Sequence, residues 1–334
     1  MRSSLRQVIS RQLEKAWYGR TGLTLVLRPL SWLFIALVAV RRFVYGSRLK
    51  KPVTLPVPVI VVGNLTVGGT GKTPLVIWLA NFLKSAGYKP GIISRGYGGM
   101  ARNWPQQVRP DADPAMVGDE AVVISRRTGM PMAVGPSRVT DAQALLQYAD
   151  VDVIVSDDGL QHYALDRDIE IVVIDGVRRF GNGFCLPAGP LRERVSRLES
   201  VDCRVTNGVA AQGEYSMRYR ADRVVNLLSN EARPLTEFKG MTVNAIAGIG
   251  NPDSFFNFLR TAGIRLQARA FADHYYYQPA DLEFTNDEPV FMTEKDAVKC
   301  ERFARANWWY IPLETILPDE FGVNILNLLG RRHG

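Results

Sequence analysis

The segment Val62–Pro74 carries the residue types that bind a chain of phosphates. Against the pattern G-x-x-x-x-G-K-[ST], Gly71, Lys72 and Thr73 fill the last three places, and Thr66 stands where the first glycine is expected. In such a loop, backbone N–H groups surround the phosphates, the lysine reaches the β- and γ-phosphates, and the hydroxyl group ligates Mg²⁺. We therefore predict a nucleotide-binding loop made of Thr66, Val67, Gly68, Gly69, Thr70, Gly71, Lys72 and Thr73.

Acidic residues follow two of the apolar runs. Asp157 and Asp158 come directly after one run, and Asp175 ends another. Adjacent carboxylates repel one another unless a cation lies between them, and a nucleotide-bound Mg²⁺ would supply that cation. We expect Asp157 and Asp158 to belong to the metal site and Asp175 to be a turn residue at a strand end.

Two further pairs of residues are able to move protons. Taken alone, Asp119–Glu120 is typical of the first turn of a helix, where the helix dipole favours acids. Asp273–His274 is, by itself, more typical of a hydrogen-bonded corner. The chain has three histidines, and only His333 lies in the tail, outside any motif. The residues by themselves leave a catalytic role for either pair open.

Eight motifs occur in a fixed order along the chain. They are GNLTVGGTGKTP, SRGYGG, VGDEAV, SDDGLQH, LPAGPLRE, AGIGNP, DHYYY and MTEKDAVKC. This series closely resembles the tetraacyldisaccharide 4'-kinase family, the lipid A 4'-kinases of Gram-negative bacteria, from about residue 20 to 311. The family's own loop has a hydroxyl residue in place of the first glycine, so the resemblance accounts for Thr66.

The resemblance implies an activity and a location. Such kinases transfer the γ-phosphate of ATP to the 4'-hydroxyl of a tetraacylated glucosamine disaccharide 1-phosphate, with ATP and Mg²⁺ as cofactors. They are peripheral, monotopic proteins of the cytoplasmic face of the bacterial inner membrane. The partners implied are the glycolipid substrate and an anionic lipid surface, with no nucleic acid and no obligate protein partner.

The resemblance also implies roles for single residues. Asp119 matches the catalytic acid, His274 matches the histidine paired with it, and Lys72 keeps its loop function. A positioned carboxylate accepts the proton of the attacking hydroxyl, and a hydrogen-bonded histidine orients it and is able to shuttle the proton. Tyr275 stands where many relatives have a second histidine, so position 275 receives no special role. The implied metal-site residues are Thr73, Asp157, Asp158 and Glu193, and the implied substrate or phosphate contacts are Arg95, Gln161, His162 and Arg192.

The elements that must position these residues follow an alternating pattern. Short, mostly apolar strands are predicted at 57–62, 90–94, 132–134, 151–156 and 169–174, with helices at 73–86, 117–128 and 137–148 between them. The strands at 151–156 and 169–174 are nearly continuous apolar runs. Alternation of this kind predicts an α/β fold with a doubly wound, mostly parallel sheet of the P-loop NTPase type. The pattern resumes after residue 241, with strands at 241–247, 265–270 and 290–292 and helices at 252–262 and 294–300, which predicts a second, smaller α/β domain.

The segment 204–230 has a different pattern. Polar and apolar residues alternate around glycine-containing turns, as in an antiparallel ribbon. We expect this β-ribbon to join the two domains. The predicted organisation is a basic and apolar N-terminal helical segment at 1–51, a kinase core at 52–205, a ribbon linker at 206–235 and a C-terminal domain at 236–334.

The N-terminal segment holds the positive charge of the protein. The chain has a net charge of +8, whereas residues 1–51 contain eleven Lys and Arg against one acid, so the rest sums to −2. The uncharged run Pro29–Val40 has twelve residues, fewer than the roughly 20 needed to cross a bilayer. We expect a helix lying in the membrane interface, with Trp17, Trp32 and Tyr45 at headgroup depth. The alternative is a first helix that covers the core while its cations face water.

Other classes of protein fit the sequence less well. Membrane-associated regulatory P-loop ATPases carry a lysine before the two glycines, where this chain has Val67. A GTPase-type metallochaperone would need an N-K-x-D loop, and 293–299 is only a loose imitation. A non-catalytic membrane adaptor would leave the loop and the acidic pairs unexplained. Three widely spaced cysteines argue against a disulfide framework or a structural zinc site and fit a reducing cytosol.

Overall fold

The computed structural model describes residues 13–19, 22–47 and 49–331. Residues 1–12, 20–21 and 48 of the predicted N-terminal segment lie outside the described residues, as does His333. The chain divides into two compact units that interleave along the sequence. The first consists of Met1–Lys72, Asp152–Arg218 and Leu317–Gly334, and the second of Thr73–Val151 and Tyr219–Ile316. The linear domain limits at 52, 206 and 236 stay a prediction.

The helices and strands follow the predicted alternation. The strands are β1 (Val59–Gly63), β2 (Pro90–Ser94), β3 (Gln106–Gln107), β4 (Met132–Val134), β5 (Val153–Asp157), β6 (Ile169–Asp175), β7 (Cys203–Asn207), β8 (Tyr215–Arg220), β9 (Arg223–Asn226), β10 (Ala232–Pro234), β11 (Thr242–Ala247), β12 (Arg265–Ala270), β13 (Val290–Thr293), β14 (Trp308–Ile311) and β15 (Glu314–Ile316). The helices are α1 (Leu23–Gly46), α2 (Lys72–Ser85), α3 (Pro114–Val117), α4 (Asp119–Thr128), α5 (Arg138–Tyr148), α6 (Pro252–Thr261), α7 (Glu294–Cys300) and α8 (Asp319–Gly330).

A parallel sheet forms the centre of the first unit. β1 pairs in parallel with both β5 and β6, β6 with β7, and β7 with β8. Every residue of β1 and β5 is buried, as expected for strands covered on both faces. The carboxyl ends of β1 and β5 meet at Val62 and Asp157, which are partners in the register. The loop after β1 and the acids after β5 therefore share one edge of the sheet.

The second unit contains a short strand group and a six-stranded sheet. β2 pairs in parallel with β4, and β3 pairs with β4 in the opposite direction. The larger sheet has the order β10-β9-β14-β13-β11-β12. Its hydrophobic core lies on both faces, because Phe291 and Trp309 pack in one cluster while their neighbours Met292 and Trp308 pack in another. The α/β class with a second α/β sheet is confirmed.

The predicted antiparallel ribbon is wrong for its first half. β7 and β8 run parallel to each other and extend the sheet of the first unit. β9 pairs in the antiparallel direction with both β10 and β14, and these strands belong to the larger sheet of the second unit. The alternating pattern correctly indicated strands in this segment, but alternation does not determine the direction of a strand's partner.

The predicted helix at 117–128 is divided in two. α3 ends at Val117, and α4 begins at Asp119. Gly118 lies between them with a φ of 95°, where a Cβ would come within 2.6 Å of the Tyr97 carbonyl oxygen. Only glycine adopts this conformation without strain in so close a space. The break places Asp119 at the first residue of a helix.

The N-terminal helix α1 is longer than the sequence pattern indicated. It has 24 residues and continues through the arginines that flank the twelve-residue apolar run. The expectation that the segment is too short to cross a bilayer is therefore not supported. By length and composition alone this helix is able to span a membrane, a criterion that core helices and signal sequences also meet.

The side chains of α1 divide into two groups. Ser31 is buried and donates a hydrogen bond to the Cys185 carbonyl, and the Arg28 guanidinium lies over the Phe184 ring. Large apolar side chains face outwards, among them Leu25, Val26, Trp32, Leu33, Leu37, Val40 and Phe43. Of the three predicted interface aromatics only Trp32 is exposed, since Trp17 donates to the Pro187 carbonyl and Tyr45 stacks on Tyr163.

Candidate active site

The phosphate-binding loop has the conformation that its glycines allow. Gly68 and Gly71 have φ values of 103° and 98°, a region that residues with a Cβ rarely adopt. The buried Asn64 side chain donates hydrogen bonds to the Thr66 carbonyl at 2.7 Å and to the Thr70 hydroxyl at 3.2 Å. α2 begins directly behind the loop at Lys72. The N–H groups of its first turn are therefore available to an anion.

Thr66 and Asn64 are structural members of this loop. Thr66 is 5% exposed and forms an isolated antiparallel bridge with Leu191. Thr66 has an ordinary backbone conformation, so this position of the loop does not require a glycine. The sequence analysis did not single out Asn64. A polar residue directly after a fully apolar strand was the signal that could have identified it.

Asp158 lies between two cations. The Arg192 guanidinium donates to both of its carboxylate oxygens at 2.8 and 3.1 Å, and the Lys72 ammonium lies 3.6 Å away. Arg192 also lies 3.4 Å from the Gln161 side-chain oxygen. The structure thus brings together four of the predicted site residues. Both of its oxygens thus lie near cations, and its assignment to the metal site stays a prediction.

Asp157 and Glu193 are both nearly buried but have different surroundings. Asp157 ends β5 and is 3% exposed. Glu193 is also 3% exposed and accepts hydrogen bonds from the Gln161 amide and the Tyr163 hydroxyl, with Arg197 3.7 Å away. Burial, and then the Glu193 carboxylate, raise the pKa of Tyr163, so its hydroxyl stays a donor. Glu193 therefore anchors its own segment of chain.

The predicted metal ligands do not form a closed cage. Among the described residues there is no group of three or more His, Cys, Asp or Glu side chains arranged to hold a metal ion. Mg²⁺ bound to a nucleotide commonly takes only one or two protein ligands, with phosphates and waters completing the octahedron. A carboxylate at the end of β5 together with a threonine hydroxyl fits that donor set, so the residues present are compatible with a Mg²⁺ site.

His162 and Arg95 are the remaining predicted substrate contacts. The backbone carbonyl of His162 accepts a hydrogen bond from Arg167. Arg95 is exposed and follows β2 directly. Their assignment as substrate contacts stays a prediction.

Asp119 and His274 meet in the second unit. Asp119 is 4% exposed, and the His274 Nδ1 lies 3.0 and 3.1 Å from its two carboxylate oxygens. The Glu120 backbone N–H donates to Oδ1 at 2.8 Å. His274 has a φ of 57° and lies against the Tyr97 ring, with centroids 4.9 Å apart. The two candidate acid–base residues therefore form one hydrogen-bonded pair.

Asp119 remains ionised although it is buried. Burial raises the pKa of the carboxyl group, but the hydrogen bond from His274 and the charges of Lys295, His274 and Lys299 outweigh it, so the pKa is lowered. Lys295 lies 3.0 Å from Glu120 and 3.0 Å from Asp273. An ionised carboxylate in a dry position is the state that a general base requires.

The MTEKDAVKC motif contains two lysines whose contacts with acidic residues were not predicted from the sequence. Lys295 and Lys299 are four residues apart on α7, and such residues share one helix face. That spacing was the available signal. It could not show that the face is turned towards Asp119, because α7 and α4 are brought together only by the tertiary fold.

A cavity of about 570 Å³ opens beside the pair. Its lining includes Tyr97, Asp119, His274, Tyr276, Lys299 and Arg302. Aromatic faces beside charged and hydroxyl groups suit a polyhydroxylated ligand, and the volume lies in the range of small-molecule sites.

The fold and these two groups of residues define a class. A glycine-rich loop with a lysine between a buried parallel strand and a helix is the phosphate site of P-loop nucleotide-binding proteins. An ionised carboxylate held by a histidine adds a group that accepts a proton. The chain has the features of a P-loop phosphotransferase.

Comparison with known proteins identifies the family. The model of the tetraacyldisaccharide-1-P 4'-kinase family matches residues 23–330. The chain belongs to this family of kinases, as the motifs predicted. The regulatory ATPase, the alternative weighed from the sequence, is not supported.

Relatives match over almost their full length. The tetraacyldisaccharide 4'-kinase of Nitrosococcus oceani is 55% identical over 94% of this chain and 93% of its own. That of Methylobacillus flagellatus is 52% identical over 97% and 98%. Among solved structures, an "apo" form of LpxK from Aquifex aeolicus in complex with ATP has a TM-score of 0.79 at 26% identity, over 92% of this chain and 99% of that one.

Proposed function

We propose that the protein transfers the γ-phosphate of ATP to the 4'-hydroxyl of a tetraacyldisaccharide 1-phosphate, as its family implies. The observation that carries the proposal is the ionised, nearly buried Asp119 carboxylate, which His274 holds by both oxygens at the wall of a cavity. A kinase that acts on an alcohol needs such a base, because the acceptor hydroxyl loses its proton as it attacks phosphorus.

The loop residues take the nucleotide in this proposal. Backbone N–H groups of the loop and of α2 surround the phosphates, and the Lys72 ammonium neutralises charge on the β- and γ-phosphates. The Aquifex aeolicus relative is in complex with ATP, which supports ATP as the donor here. Arg192, which donates a hydrogen bond to Asp158, would stabilise charge that develops on the transferred phosphoryl group.

Mg²⁺ would be held by Thr73 and Asp157 in this proposal. The ion neutralises phosphate charge and orients the γ-phosphate when it is bound. Asp158 and Glu193, which the family resemblance also implied as ligands, hold cations and hydroxyl groups of the protein instead. Of the four residues that the resemblance implied for the metal site, Thr73 and Asp157 are therefore the proposed ligands.

Asp119 accepts the acceptor's proton in this proposal. As the new P–O bond forms, the bond between the γ-phosphorus and the bridging oxygen of ADP breaks, and the hydroxyl proton moves to the carboxylate. His274 keeps both carboxylate oxygens oriented throughout. The cavity beside the pair is the proposed place for the sugar ring that carries the hydroxyl.

The membrane face of the protein is proposed to be α1. Its outward side presents apolar residues to solvent, and the segment carries an excess of cations. Such a helix binds the interface of an anionic bilayer, where an acylated substrate resides. The proposed location is the cytoplasmic face of the bacterial inner membrane, which the use of ATP and the three free cysteines support.

A transfer assay tests the proposal. Purified protein in detergent, with labelled ATP and Mg²⁺, is expected to phosphorylate tetraacyldisaccharide 1-phosphate, while hydrolysis of ATP without acceptor stays low. Lys72→Ala and Asp119→Asn should each reduce transfer by about 10²-fold or more, and Asp119→Asn should still bind ATP with unchanged affinity. Hydrolysis of ATP without transfer would contradict the proposal and favour a regulatory ATPase.

A further inference from the structure

A buried ion pair lies directly behind Asp119. Lys299 and Asp296 are both on α7, with their charged groups 3.0 Å apart and their side chains 7% and 0% exposed. Burying two charges costs about as much free energy as their attraction returns, so such a pair contributes little to stability by itself. A role other than stabilising the fold therefore explains this buried pair better.

Asp296 is fixed from three sides. Its carboxylate accepts hydrogen bonds from the Thr293 hydroxyl at 2.7 Å, the Gly248 N–H at 3.0 Å and the Tyr277 hydroxyl at 3.0 Å. A Cβ at Gly248 would come within 2.6 Å of the Tyr277 oxygen, so the backbone approach needs a glycine. Three residues from separate segments of the chain thus fix the Asp296 carboxylate. This carboxylate in turn pairs with Lys299.

The Lys299 ammonium pairs with Asp119 as well as with Asp296. It lies 3.6 Å from Asp119 Oδ2 and 5.0 Å from the centroid of the Tyr277 ring. Asp119 Oδ1 is occupied differently, since it accepts from the Glu120 N–H. His274 bridges the two oxygens. Each carboxylate oxygen therefore has its own fixed neighbour in addition to the shared histidine.

We propose that Lys299, held in place by Asp296, is a positioning residue for the general base: it fixes the Oδ2 side of Asp119 and stabilises the carboxylate form. The inference rests on the proposed function, in which Asp119 takes the proton of the acceptor. Lys299 acts through Asp119 and needs no contact with the sugar.

The other charges around Asp119 are paired among themselves. Lys295, also on α7, faces Glu120 of α4 and Asp273 of the loop after β12, and its Nζ lies 3.4 Å from His274 Nε2. Among the described residues, Lys299 is the lysine that pairs with an Asp119 oxygen, at 3.6 Å. Its charge is one of those that lower the pKa of Asp119, so its removal should raise that pKa.

Four variants test the proposal in the full-length chain. Lys299→Met removes the charge and keeps the length of the side chain, and Lys299→Met with Asp296→Asn removes both buried charges together. Lys299→Arg keeps the charge. The exposed Lys239→Met is the matched control. Thermal unfolding shows which variants remain folded, and the double variant leaves no unpaired buried charge that would prevent folding.

The decisive measurement is the pH profile of kcat/KM for the acceptor. Lys299→Met should move the acid limb to higher pH and lose activity several-fold at the acid end. The double variant should move the limb in the same direction by less, because the negative charge of Asp296 is removed as well. The KM for ATP should not change, Lys299→Arg should restore most of the profile, and Lys239→Met should match the wild type. A double variant with the wild-type profile would overturn the proposal, because the pair would then be structural only.

A second readout does not depend on activity. The ring signals of His274 in NMR report the ionisation of Asp119, since Nδ1 bonds both of its oxygens. The acid inflection of these signals should rise in Lys299→Met, and an unchanged inflection would contradict the proposal. If the wild-type chain transfers no phosphate, the proposed function fails, and the NMR titration still decides whether Lys299 stabilises the Asp119 carboxylate.

Discussion

His274 Nδ1 lies 3.0 and 3.1 Å from the two carboxylate oxygens of Asp119, across 155 residues of chain. His274 reaches this position from a loop residue with a φ of 57°, and Asp119 from the first residue of a helix. The positive φ of His274 is unusual for a residue other than glycine, and the two positions together orient the shared hydrogen bond from Nδ1. The geometry accounts for a base whose direction is fixed before the acceptor arrives.

The His274 hydrogen bond is tested by two substitutions at one position. His274→Asn places an amide N–H where Nδ1 now lies, and asparagine tolerates a positive φ better than most residues. His274→Ala removes the bond. We expect the alanine variant to lose about 10²-fold in kcat/KM for transfer and the asparagine variant to lose clearly less. Equal losses in both variants would show that the Nδ1 bond is not what matters.

Glu193 is expected to stabilise the fold and not to bind Mg²⁺. Glu193→Gln disturbs the hydrogen bonds from Tyr163 and Gln161 and should lower the free energy of unfolding by about 1–3 kcal/mol, measured by urea denaturation. The Mg²⁺ concentration for half-maximal activity should stay unchanged. Asp157→Asn is the matched variant and should raise that concentration. The opposite pattern would make Glu193 the ligand.

The outward face of α1 is expected to bind lipid. Changing Trp32, Leu33 and Leu37 together to serine removes exposed apolar side chains and should weaken binding to phosphatidylglycerol vesicles by at least about tenfold. ATP affinity should be unchanged. Ser31→Ala is the control, because Ser31 faces Cys185 and should affect stability without affecting vesicle binding. Vesicle binding that survives the triple change would exclude this face.

Acid should weaken the fold partly through Glu214. Hydrogen bonding from Arg179 lowers the pKa of Glu214 to about 2, below its value in an unfolded chain, roughly 4.3. The ionised group therefore stabilises the folded state above about pH 4.5, and this contribution is lost as the pH falls towards 2. Glu214→Gln should flatten the fall in unfolding free energy between pH 4.5 and 3, measured in urea, relative to wild type and to the exposed Glu199→Gln. An unchanged slope would mean that Glu214 does not contribute to the pH dependence.

The phosphate-binding loop could be predicted from the sequence because its determinants are local. A strand, the glycines and Lys72 lie within about a dozen consecutive residues, and backbone sterics dictate where a glycine is needed. The same holds for the parallel strands β1, β5 and β6, which are largely apolar although Glu170 lies within β6. Residue types and short spacings were enough for these elements.

The tertiary structure decided which distant residues meet. No spacing in the chain could show that Lys299 faces Asp119, or that Arg192 holds Asp158. Nor could spacing show that Glu193, a metal ligand by resemblance, accepts hydrogen bonds from Tyr163 and Gln161. The direction of β8 beside β7 was likewise settled by sheet pairing. The sequence by itself determined the local chemistry of the loop and the kind of fold. Packing decided which side chains contact one another, because the charge and the hydrogen bonds of a side chain depend on the groups that the fold brings within a few ångströms.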